Sequence, residues 1–180
     1  MPAVQPNPDL EFSVPVDVTQ VPSAGRDYAV SAKAAECKRV AARLNILELS
    51  ELSAQVHLES AIGNLIQVSG RLTAKVVQAC VVSLEPVRAT IDEGFAVTFT
   101  RVTPKARAEL DLDPDDEPPE VIHGDILDIG EAVVEQLVLL IDPYPRAPGA
   151  VFKTHVVGEI TPQKDNVSPF AVLAKLKTKS

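Results

Sequence analysis

Apolar and polar residues change their period twice along the chain, and the changes mark its elements. From Asn45 to Arg101 apolar residues fall at roughly every second position. LELSELSAQVHLES alternates, LIQVSGRLTAKVVQACVVSL does so less regularly, and ATIDEGFAVTFTRV alternates again with many β-branched residues. A period of two predicts half-buried strands, with Gly70 as a bend or bulge in the middle one. Ala61-Ile62-Gly63-Asn64 and Leu84-Glu85-Pro86 are short and turn-forming, which suits antiparallel hairpins or tight corners.

Helical spacing flanks this region on both sides. Ser31 stands as an N-cap before AKAAECKRVAARL, where Ala34, Ala35, Cys37, Val40, Ala41 and Leu44 recur at three-to-four spacing, predicting a helix over Ala32–Leu44 with Lys38 and Arg39 outward. In DILDIGEAVVEQLVLLIDPYP, Asp128 caps, Glu131 completes a capping-box-like pair, and Val133, Val134, Leu137, Leu140 and Ile141 follow until Pro143. This predicts the main core helix over residues 128–141. The expected architecture is a single α+β domain over residues 28–150: an antiparallel, strongly curved, barrel-like sheet from about residue 45 to 101, flanked by two or three helices.

The remaining segments read differently. Residues 1–27 are a proline-rich lead-in, with five prolines in the first 22 residues and a candidate edge strand in EFSVPVDV that keeps Pro15 out of any ladder. Residues 103–120 (TPKARAELDLDPDDEPPE) are acidic, rich in proline and poor in large apolar groups, and predict a loop across the sheet. Residues 151–180 form a C-terminal extension. Its SPFAVLAKLKTKS has Ser168 as N-cap, Pro169 at the first helical position, Phe170, Leu173 and Leu176 on one side and Lys175, Lys177 and Lys179 near the end, the pattern of a short basic amphipathic helix.

Charge sharpens this outline. From Glu109 to Asp142 there are twelve acidic residues and no Lys or Arg, so this segment carries −12 and the rest of the chain +4, for a net charge of −8. An acidic run reads either as a solvated loop or as a docking strip for a basic partner, with Asp113, Asp115, Asp116 and Glu117 at its centre. With a pI near 4.9, the chain is not expected to hold RNA by overall charge. Aromatics are 4% of residues, with no Trp, which argues against a stacking platform for single strands.

The chemistry-bearing residues are scattered. His57, His123 and His155 have no ligand spacing, and Cys37 and Cys80 lie far from each other and from the histidines, so they read as small core hydrophobes and no metal is expected. There is no G-x-S-x-G, no S-x-x-K and no glycine-rich phosphate loop, and no catalytic residue or cofactor is expected. The start of the chain lacks a basic segment followed by an apolar one, and no apolar stretch approaches the ~20 residues of a spanning helix; a cytoplasmic protein without membrane contact is expected. The candidates for partner binding are cationic: Arg71 and Lys75, four apart on one strand and so on one face, with Arg88 on the next. They form an ordinary solvated face or, with Lys175, Lys177 and Lys179, a surface for RNA phosphate or a partner protein.

Three segments in order resemble the YceD family of bacterial and plastid proteins, associated with accumulation of large-subunit ribosomal RNA. They are VSGRLTAKVVQACVVSLEPVRATIDEGFAVTFT, GDILDIGEAVVEQLVLLIDPYPRAPG and SPFAVLAKLK, with an acidic loop between the first two. The resemblance spans roughly residues 28 to 177. Many members carry C-x-x-C in the first segment and further cysteines after the closely spaced prolines, which suggests a metal site in them. Here Ser83 stands where the second Cys of C-x-x-C would be and YPRAPGAVF has no Cys, so zinc is not implied for this chain. What the resemblance implies is a noncatalytic accessory factor in ribosome biogenesis, supporting synthesis, processing or accumulation of 23S RNA. Its partner would be a pre-ribosomal particle, the large-subunit RNA or a ribosomal protein, with no small-molecule substrate. The alternative is a protein-interaction module that docks a basic partner through the acidic loop and C-terminal helix without touching RNA.

Overall fold

The computed structural model describes residues 5–61, 65–101, 118–122 and 124–151, and its elements lie in the unit Met1–Ala150. In chain order these are β1 (Pro15–Asp17), a 3-10 turn (Val18–Gln20), β2 (Arg26–Ser31), α1 (Ala34–Arg43), β3 (Glu48–Ala61), β4 (Leu65–Ala79), β5 (Pro86–Thr100), β6 (Glu120–Val121), β7 (Ile126–Asp128) and α2 (Ile129–Leu140). The fold is α+β. Strands β3, β4 and β5 form the antiparallel meander that the alternation predicts, about 50 Å long at the usual rise per residue. β2 extends it along β3, from Arg26 opposite Leu58 to Ser31 opposite Ser53, and β6 joins β5 in parallel at Phe99 and Thr100.

The strand order β2-β3-β4-β5-β6 has two ends that do not meet, so the expected barrel-like curling is corrected to an open sheet. Closure would need β2 to pair with β6, and β6 has only two residues. A separate antiparallel ribbon pairs β1 with β7, and Pro15, expected to stay out of any ladder, stands in it opposite Asp128 as the first residue of β1, a strand position that tolerates proline.

Period two decides which face is buried. Leu52, Val56 and Leu58 of β3, Val68, Leu72 and Val76 of β4, and Phe99 of β5 are all buried in one cluster, together with Val40 of α1 and Ile129, Val133 and Leu137 of α2. Both helices thus contribute to the core on one side of the sheet, and the other side carries the polar half of the alternation. Residues before β2 belong to the same core: Phe12 is 3% exposed, and Val16, Val18 and Val21 are buried.

That N-terminal segment crosses the start of α2 at Gly130, where an added Cβ would lie 2.6 Å from the Phe12 carbonyl oxygen. Asp128 fastens the crossing. Its carboxylate caps α2 by accepting the N–H groups of Gly130 (3.0 Å) and Glu131 (3.2 Å), and it also accepts the Val14 N–H (2.8 Å) and the Ser13 hydroxyl.

Three local expectations are corrected. Ser31 is the last residue of β2, not a cap; the helix starts at Ala34 after Lys33, whose backbone N–H donates to the Glu36 carboxylate at 2.6 Å. The Ala32 N–H is already held by the Leu52 carbonyl, so the strand runs on and Ala34 and Ala35 stay exposed. Glu131 does not close a capping box but forms a forked ion pair with Arg43 (2.6 and 2.8 Å), which Glu11 joins at 3.0 Å. Gly70 is not a bulge, since its register with Val56 and Phe95 is unbroken; a Cβ there would sit 2.3 Å from the Gln55 carbonyl oxygen and 3.0 Å from the Phe95 ring. The irregularity of the sheet lies instead between Leu49 and Glu51.

Candidate functional site

The polar side of the sheet brings the three sequence-selected cations Arg71, Lys75 and Arg88 onto one face. On β4 and β5 the register sets Arg71 opposite Gly94, Thr73 opposite Asp92, Lys75 opposite Thr90 and Val77 opposite Arg88, so these residues share a side. All three cations are exposed. Lys75 and Arg88 line one shallow groove of about 200 Å³ with Ser50 and Thr90. Arg71 stands further along and donates through Nε to Asp92 (2.6 Å), an exposed pair that holds the Asp92 carboxyl below the usual carboxylate range.

The face is not a bare cationic strip. Lys75 pairs across the strands with Glu51 at 2.6 Å, and toward the sheet's β2 edge Asp27 meets His57 at 2.7 Å on the same face. Exposed pairs of this kind contribute little to stability, so an incoming phosphate or carboxylate can exchange partners with them. Among the described residues, Arg88 has no ion-pair partner.

The other selected residues, Asp113, Asp115, Asp116 and Glu117 of the acidic run and Lys175, Lys177 and Lys179 of the tail, lie outside the described residues. The described part of the acidic segment sets Glu120, Asp128, Glu131 and Glu135 around one shallow pocket over Phe99 and Leu127. Burial, with Glu120 and Glu131 nearby, pushes the Glu135 carboxyl above its usual range.

Cys80 sits where β4 ends, and the loop after it closes on itself. Its N–H donates to the Glu85 carbonyl (2.8 Å) and its own carbonyl accepts the Leu84 N–H (3.0 Å). The sulfur is buried and receives three backbone N–H groups, from Ala147 (3.3 Å), Ser83 (3.3 Å) and Val82 (3.4 Å). The Ala147 N–H, followed by Ser83, favours the thiolate and lowers the thiol to about 6. The donor set does not suit a metal. The Ser83 hydroxyl turns to the Glu85 carboxylate (3.1 Å), and among the described residues no three His, Cys, Asp or Glu side chains are placed to hold a metal ion.

The sequence reading missed a second surface, a groove of about 380 Å³ between the C-terminal ends of α1 and α2, with Val81 and Val138 in its wall. The signal was present: LVLLI places apolar residues on every side of a helix that has only one side to bury, and Leu139 is 76% exposed.

Among the described residues no helix is long and apolar enough to cross a membrane. The family model for YceD, described as large ribosomal RNA subunit accumulation protein YceD, matches residues 68–177. That stretch takes in most of β4, all of β5, β6, β7 and α2, the polar cations and the Cys80 loop. No curated protein and no solved structure matches the chain.

Proposed function

The chain belongs to the YceD family, and from that premise we propose that it is a noncatalytic accessory factor of ribosome biogenesis, working in the cytoplasm to support synthesis, processing or accumulation of large-subunit ribosomal RNA. The observation that carries this reading is the family match over 68–177, which covers more than half of the chain. The geometry agrees with a binding role. The polar face of the open sheet sets Lys75 and Arg88 in one groove, a cationic footprint that suits an anionic partner. The partner is a pre-ribosomal particle, its RNA or a ribosomal protein.

A second reading, a protein-interaction module without RNA contact, is favoured by one observation: Arg71 and Lys75 are each matched by a carboxylate, which blunts long-range attraction to phosphate. One experiment addresses both. Subunit profiles on sucrose gradients are compared for cells lacking the gene, cells complemented with the natural chain, and cells complemented with the Arg71→Ala/Lys75→Ala/Arg88→Ala chain. A deficit of large subunits, restored by the natural chain but not by the triple variant, is expected. Full rescue by the triple variant favours the second reading. Unchanged profiles in deleted cells under slow and fast growth overturn the role itself.

A further inference from the structure

The groove between the C-terminal ends of α1 and α2 is lined mostly by apolar side chains, with Asn45, Gln78 and the acidic Asp142 among them. Its walls include Leu44 and Ile46 after α1, Val81 of the Cys80 loop, and Val138, Ile141 and Pro143 at the end of α2. Val81 and Val138 are half exposed, at 48% and 49%. Exposed apolar side chains gathered at one concavity, unlike ones scattered singly, mark a contact surface.

Two features give the groove its sign. The C-terminal end of α1 is closed: Ile46 N–H donates to Ala41 and Asn45 N–H to Ala42, with Asn45 at φ 52, a Schellman arrangement that serves its carbonyls. The end of α2 is not closed in this way. In a longer helix residues 143 and 144 would serve the carbonyls of Leu139 and Leu140, but Pro143 has no N–H and the Tyr144 N–H turns to the Asp142 carboxylate (2.8 Å). The last turn of α2 contains no basic residue to offset the negative end of its dipole. Asp142 itself lines the groove and adds a full negative charge.

We infer that this groove docks a basic, apolar-anchored peptide segment of a partner protein. Aliphatic side chains of the segment lie on Val81 and Val138, and a Lys or Arg meets the Asp142 carboxylate and the open carbonyl end of α2. The inference goes beyond the ribosomal-RNA role and stands independently of it, because it rests on surface chemistry within this chain alone.

The test titrates the full chain with a fluorescein-labelled amphipathic peptide built of Leu and Lys, and with its counterpart carrying Glu for Lys, by fluorescence anisotropy. The Lys peptide binds and the Glu peptide does not. Val81→Lys and Val138→Lys, both at half-exposed positions and each checked for an unchanged melting transition, weaken binding by about tenfold or more. Arg71→Ala, on the polar sheet face, leaves it unchanged. Binding of the Lys peptide that ignores both Val substitutions would assign the affinity to the acidic segment elsewhere in the chain and overturn the inference. So would equal binding of the Glu peptide. A concentration-dependent dimer in sedimentation, lost on Val138→Lys, would give the groove to a second copy of the chain and overturn it as well.

Discussion

Cys80 shows how a single side chain is set by backbone it does not belong to. Its sulfur takes an N–H from Ala147, more than sixty residues away, besides two from its own loop, and this places the thiol at about 6 against an ordinary value of 9.0. Between those values the unfolded chain binds one proton more than the folded chain, so stability rises with pH across that window. The contribution is lost as pH falls through about 6. Replacing Cys80 with Ser removes this slope from urea midpoints measured between pH 6 and 9. The thiolate's ultraviolet absorbance in the folded protein reads the same group directly, and a titration near 9 in the native state would contradict the account. The sequence placed Cys80 as a small buried hydrophobe. Burial was legible from the apolar residues around it, but the donors were not, because Ala147 reaches the sulfur only through the exit after Pro145.

At the scale of elements, what was legible followed from period, and what was not followed from tertiary partners. Strands β3 to β5 and helix α2 emerge from alternation and helical spacing alone. β2 was hidden because its six residues contain a single buried position, Val30, and its pairing with β3 overrode the capping propensity of Ser31. The open edge of β5 has a consequence for solubility. Among the described residues only β6 pairs along its outer side, at Phe99 and Thr100, so most of a 15-residue strand offers unpaired backbone. Glu93 stands opposite the buried Leu72, on the apolar side of that strand, yet is exposed; a charge pointing inward on an edge is a device against edge-to-edge pairing. Replacing Glu93 with Val leaves the melting transition within about 1 kcal/mol of the natural chain but promotes self-association. Light scattering during incubation at increasing concentration checks this, and an unchanged monomer at all concentrations would show that the edge is covered by other means.

The whole molecule divides its labours by surface. One side of the sheet holds the core with both helices, the other holds paired and unpaired cations, and a mostly apolar groove beside Asp142 lies between the C-terminal ends of the helices. The cationic candidates were legible in the sequence because strand parity assigns faces, whereas their carboxylate partners Glu51 and Asp92 needed the register. The groove needed the fold itself, since its walls come from segments separated by as many as a hundred residues. The central claim concerns the cell's large-subunit RNA. The direct measurement is the amount of mature and precursor large-subunit RNA, relative to small-subunit RNA, in cells lacking this gene and in cells complemented with it. A specific fall in the large-subunit species, restored by complementation, is the predicted result; a ratio unchanged by loss of the gene would contradict the account.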